Sequence, residues 1–141
     1  MFTKMDHVGL SVRDMNKAIE FYRDVIGMEK VMDREFEHSL AKIVGIQGAG
    51  ARIVHMKLGD SIVELFHYHH PKGRKPQADR NQSDLGLSHI GFQVENFKEL
   101  YQKLLKKNVV FLGEPVEIRP GVFVAYFYGS EGEVCEMREI I

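Results

Sequence analysis

The chain has a single cysteine, Cys135. No intrachain disulfide is possible, and a reducing cytoplasm is the default expectation. Neither sign of charge is in excess. Nineteen Lys and Arg face twenty Asp and Glu, for a net charge of −1. That balance gives no electrostatic reason to expect nucleic acid or an anionic membrane as a partner. No apolar run approaches the roughly 18 residues that a membrane span needs. The opening Met1-Phe2-Thr3-Lys4-Met5-Asp6 lacks the apolar stretch of a signal peptide. What the sequence does hold is an apolar fraction of 44% over 141 residues, which suits one globular domain of ordinary size. It also holds seven histidines, and histidine is the commonest metal ligand.

The apolar pattern predicts a strand over 5–12, with Gly9 inside it. Asp14 then offers a helix N-cap, and Met15, Ala18, Ile19, Tyr22, Val25 and Ile26 recur at helical spacing. Gly27 stands where a helix-ending glycine belongs. Further strands are expected over 30–36, 52–58 and 61–68, the last two as a hairpin closed by Gly59-Asp60. The second half repeats the order. A strand is expected over 87–95, containing Gly91. Asn96 and Glu99 form a capping-box pattern. Phe97, Leu100, Tyr101, Leu104 and Leu105 mark a helix face that Asn108 can end. Either 109–112 or 115–119 supplies the next strand, and 122–128 with 133–139 forms the closing hairpin. The expected fold class is α+β, with two tandem βαβββ modules in one domain over 1–141. Module 1 covers about 1–70, a polar linker about 71–85, and module 2 about 86–141.

The two halves align residue by residue. His7-Val8-Gly9-Leu10-Ser11-Val12 matches His89-Ile90-Gly91-Phe92-Gln93-Val94, and Ser61-Ile62-Val63-Glu64-Leu65 matches Glu133-Val134-Cys135-Glu136-Met137. The histidines stand 82 positions apart and the glutamates 72, so the first half carries ten extra residues. They fall within 37–50, where Ser39 to Val44 can form a short helix. Taken singly, each His or Glu is better explained as a core or surface residue. Repeated in matched frames, they point to one divalent ion held by His7, Glu64, His89 and Glu136. Two neutral imidazoles and two carboxylates neutralise such an ion, and mixed N and O donors suit Zn, Ni, Co, Mn or Fe(II). Strand alternation puts Ser11, Gln93, Tyr126 and Arg138 on the same faces as weaker lining candidates. His67, His69 and His70 read as surface residues at the linker start. His38 and His55 have no supporting pattern, and Cys135 alternates away from Glu136 into packing.

These motifs resemble the vicinal oxygen chelate superfamily, which includes glyoxalase I, methylmalonyl-CoA epimerase, extradiol dioxygenases and bleomycin resistance proteins. His7 to Asp14, Ala18-Ile19-Glu20-Phe21-Tyr22 and Ile26-Gly27-Met28 look like its first module, and Leu87 to Phe92 like the start of its second. The resemblance implies a cup-shaped mixed sheet around the metal, with the same four ligand positions, and a homodimer. It implies a lyase or isomerase, glyoxalase- or epimerase-like, acting on a small molecule with adjacent oxygens. Glu64 or Glu136 would serve as the catalytic base. An Fe(II) ring-cleaving dioxygenase and a small-molecule-binding or resistance protein are the alternatives. The family's usual Asp-Pro-Asp-Gly turn before the last ligand is replaced here by Gly129-Ser130-Glu131-Gly132-Glu133.

Overall fold

A computed structural model describes residues 1–141. The chain divides into two compact units, Met1–Lys75 and Pro76–Ile141, and each is taken by itself.

The first unit runs β1 (His7–Ser11), α1 (Met15–Glu20), a π-helical turn (Phe21–Ile26), β2 (Glu29–Phe36), α2 (His38–Val44), β3 (Gly50–Leu58) and β4 (Ser61–His70). The strands form one sheet in the order β1-β4-β3-β2. β1 is parallel to β4, and the other pairs are antiparallel. The Asp14 side chain accepts from the Lys17 N–H at 3.1 Å, as its N-cap position predicts. Met15, Ala18, Ile19 and Tyr22 are buried along one stripe, and α1 packs against β4. Gly27 closes the helix in the left-handed region at φ 89°, which costs glycine nothing.

The strand residues Val54, Met56, Val63 and Leu65 are buried. The alternate positions, among them His55, Glu64 and Phe66, therefore lie on the opposite face of the sheet. The ten extra residues do contain a helix, α2. Its Leu40 packs on Ala51 and Ile53, with Met32, Phe36, Val44, Phe66 and Tyr68 around them. Ile53 and Phe66 alternate in phase with His55 and Glu64, so this apolar cluster covers the far end of the face that carries those two residues.

The second unit runs β5 (Ile90–Gln93), α3 (Phe97–Lys106), β6 (Val116–Arg119), β7 (Val122–Tyr128) and β8 (Val134–Ile140). The sheet order is β5-β8-β7-β6, with β5 parallel to β8. This is the first unit's topology without α2, so the fold is α+β and built from two βαβββ modules. Phe97 and Leu104 are buried beneath α3, and the Phe97 and Phe123 rings lie 5.9 Å apart. Asn108 ends the helix at φ 60°. The next strand comes from the later of the two expected segments, and Phe111 adds only a single bridge to Phe127.

Two expectations are corrected. Asn96 sits in the left-handed region at φ 55° and makes no side-chain cap. The cap comes from Glu139 on β8, whose carboxylate accepts from the Asn96 N–H at 2.7 Å and the Phe97 N–H at 3.2 Å. The strand expected over 87–95 is shorter, so His89 stands one residue before β5 rather than within it. Residues 71–89 form no helix or strand.

Candidate metal centre

Sheet register brings each His/Glu pair together. In the first unit the parallel pairing sets Gly9 beside Glu64 and His7 beside Ile62. In the second, Gly91 lies beside Glu136. His7 Nε2 stands 3.4 Å from Glu64 Oε1, and His89 Nε2 stands 3.0 Å from Glu136 Oε2. Donor atoms about 2.1 Å from one ion lie about 3.0 to 3.4 Å from each other, so each pair has the spacing of neighbouring ligands. At Gly9 a Cβ would meet nothing within 4 Å, and at Gly91 it would touch Glu136 Oε2 at 3.5 Å, an ordinary contact. Neither glycine is therefore needed for space within its own unit. Within either unit, no three His, Cys, Asp or Glu side chains are grouped as a metal site would group them.

Both imidazoles are oriented from the other nitrogen, and in both cases by the preceding residue. His7 Nδ1 donates to Asp6 Oδ2 at 2.9 Å. His89 Nδ1 lies 2.8 Å from Ser88 Oγ. A carboxylate at Nδ1 fixes the tautomer and leaves Nε2 with its lone pair, the form that binds metal. That lone pair faces a carboxylate oxygen, and two acceptors facing each other need a cation between them. Either a proton or a metal ion meets that need. The Asp6 hydrogen bond raises the His7 pKa above its ordinary value, with burial opposing and the Glu64 charge adding to the rise. The Glu64 and Glu136 side chains are only 17% and 15% exposed, which favours pairing with a cation over leaving the charge alone. The residues present therefore fit a divalent ion.

Two neighbours of these pairs escaped the sequence reading or were weighed lightly in it. His55, for which no pattern was found, stands directly across the hairpin from Glu64. Its Nε2 lies 2.5 Å from Glu64 Oε2. The signal was available: a turn at Gly59-Asp60 pairs Leu58 with Ser61, and counting three residues outward pairs His55 with Glu64. Tyr126 holds the matching place across from Glu136. Its ring meets His89 edge-on, with centroids 5.0 Å apart. Burial raises the Tyr126 pKa, and the Glu136 charge adds to that, so the phenol stays neutral.

Ser11 and Gln93 are exposed and Arg138 is half-buried. His67 and His69 alternate onto the face opposite Glu64, where their rings lie 5.3 Å apart and His69 pairs with Glu35 at 2.7 Å. His70 ends β4, and His38 begins α2. Cys135 is buried, on the face opposite Glu136.

The model of the Glyoxalase/Bleomycin resistance protein/Dioxygenase superfamily matches residues 4–137. The chain belongs to this superfamily. The resemblance read from the His-x-Gly openings of the two modules is thereby borne out. Human mitochondrial methylmalonyl-CoA epimerase is 29% identical over 128 residues, covering 86% of this chain and 65% of that protein. A 2-epi-5-epi-valiolone epimerase from an Actinomyces species is 34% identical over 121 residues, covering 82% of this chain and 65% of that protein. The chain thus spans about 65% of the length of these curated relatives. The crystal structure of a glyoxalase family protein from Bacillus cereus superposes with a TM-score of 0.90 at 24% identity, covering 100% of this chain and 96% of that one. That likeness shows the fold. Superfamily members typically bind a divalent metal ion.

Proposed function

We propose that this chain is a divalent-metal-dependent isomerase or lyase, epimerase- or glyoxalase-like, acting on a small molecule with two adjacent oxygens. Its ligands would be His7 and Glu64 from the first unit and His89 and Glu136 from the second, holding one Zn, Ni, Co, Mn or Fe(II) ion. The observation that carries this reading is the matched pair of Nε2-to-carboxylate approaches, each with Nδ1 engaged by the preceding residue. The epimerase relatives support the same class.

When bound, such an ion supplies Lewis acidity toward the substrate oxygens and so acidifies the adjacent C–H. Asp6 and Ser88 hold the two imidazoles with Nε2 forward. Glu64 or Glu136 accepts the substrate proton as general base, leaving an enediolate. The same carboxylate, now protonated, returns the proton to carbon as general acid and completes epimerisation or isomerisation.

A ring-cleaving dioxygenase site of two histidines and one carboxylate would leave Glu64 without a role. The approach of Glu64 to His7 supports the isomerase reading over that alternative. Purified protein is expected to contain one divalent ion per chain by elemental analysis. It is also expected to catalyse solvent deuterium exchange into an α-hydroxy, α-keto or hemithioacetal substrate. Glu64→Ala and Glu136→Ala should each lower metal content and cut the exchange rate by about 10²-fold or more. Unchanged exchange and metal content in either variant would sink this mechanism.

A further inference from the structure

Glu64 and Glu136 occupy matched positions, but the residues facing them across their hairpins differ. Tyr126 sets its ring edge-on against His89, whereas His55 reaches the carboxylate itself. We propose that His55 is a positioning residue whose Nε2–H holds Glu64 Oε2 and thereby turns Oε1 toward His7. This rests on the reading that His7 and Glu64 are metal ligands.

The two oxygens of Glu64 have separate partners. Oε2 meets His55 Nε2 at 2.5 Å, and Oε1 meets His7 Nε2 at 3.4 Å. His55 therefore does not compete for the oxygen offered to an ion. A hydrogen bond to a carboxylate is among the stronger kinds, and this one is only partly exposed, with side chains at 26% and 17%. The backbone beneath His55 is firmly placed, because Val54 and Met56 on either side are fully buried. The His55 and His7 rings lie on the same side of the sheet, 24° from parallel and 6.4 Å apart. An unrestrained glutamate samples several rotamers and must lose that freedom on binding an ion. A carboxylate held by one oxygen has already lost most of it.

The test is titration of the full chain with Co²⁺ alone, followed by visible absorption, with folding checked by circular dichroism. His55→Leu is expected to weaken Co²⁺ binding by about 10- to 100-fold, the usual size of an effect exerted through a ligand's hydrogen-bond partner. His55→Gln, whose amide N–H can still donate, is expected to restore most of the affinity and the wild-type spectrum. A purely structural histidine would not be rescued in this way. If His55→Leu binds Co²⁺ as tightly as wild type while Glu64→Ala loses it, His55 has no positioning role. If Glu64→Ala itself binds as tightly as wild type, the ligand assignment fails and the positioning role goes with it.

Discussion

The ionisation of Asp33 is strongly biased by its neighbours. Its carboxylate accepts two hydrogen bonds from the Arg52 guanidinium, at 2.9 and 2.8 Å, and one from Lys30 at 2.9 Å. The Arg52 hydrogen bonds hold its pKa far below the ordinary carboxylate value; burial, the next-largest effect, opposes them, and the Lys30 hydrogen bond adds to the lowering. A depressed folded-state pKa stabilises the fold above the unfolded value, near 4, and the benefit is lost as pH falls below it. Arg52→Met is therefore expected to cost about 1 kcal/mol at pH 7. Urea melts should show the two proteins converging as the pH is taken from 5 toward 2; a constant gap would contradict the pairing. At this same scale the site was only half legible in the sequence. The internal repeat exposes positions filled alike in both modules, hence His7, Glu64, His89 and Glu136. It is silent where the modules differ, as with Asp6 against Ser88 and His55 against Tyr126. Those residues contact the candidate ligands all the same.

Elements were read best where local chemistry decides them. Asp14 caps α1 and Gly27 ends the helical run because each needs only its own side chain, or lack of one, to do so. The length difference between the halves placed α2, since ten residues cannot be absorbed by a tight hairpin. The start of α3 was misread because its cap is not local. Asn96 at φ 55° cannot hold the extended backbone of an ordinary N-cap. Glu139, 43 residues away, takes both free N–H groups. That contact also ties α3 to β8, whose Glu136 is a candidate ligand. Glu139→Ala leaves the Asn96 and Phe97 N–H groups without their acceptor and is expected to cost about 1–2 kcal/mol. Glu139→Gln, which keeps an acceptor, should cost less. Chemical denaturation monitored by circular dichroism measures both, and equal losses would mean that the carboxylate's contribution is not hydrogen bonding.

At the scale of the whole chain, two units each have their own sheet, helix and apolar interior, while the proposed ligands are divided between them. A metal bound only by the folded form stabilises it by RT ln(1 + [L]/Kd), about 2.7 kcal/mol at a hundredfold excess over Kd. For a chain of this length that corresponds to a rise in melting temperature of roughly 5–10 °C. Thermal unfolding with and without a chelator is the measurement, with Co²⁺ or Zn²⁺ added back. Amide exchange followed through both units then tests the ligand assignment. With ligands from both, metal removal is expected to raise exchange in β1 and β4 and also in β5 and β8. Ligation by His7 and Glu64 alone would leave β5 and β8 unaffected. His89→Ala separates these cases again, because it abolishes the metal-dependent rise in melting temperature only if the second unit contributes a ligand. A His89→Ala protein that is still stabilised by metal as strongly as wild type would remove the second pair from the site.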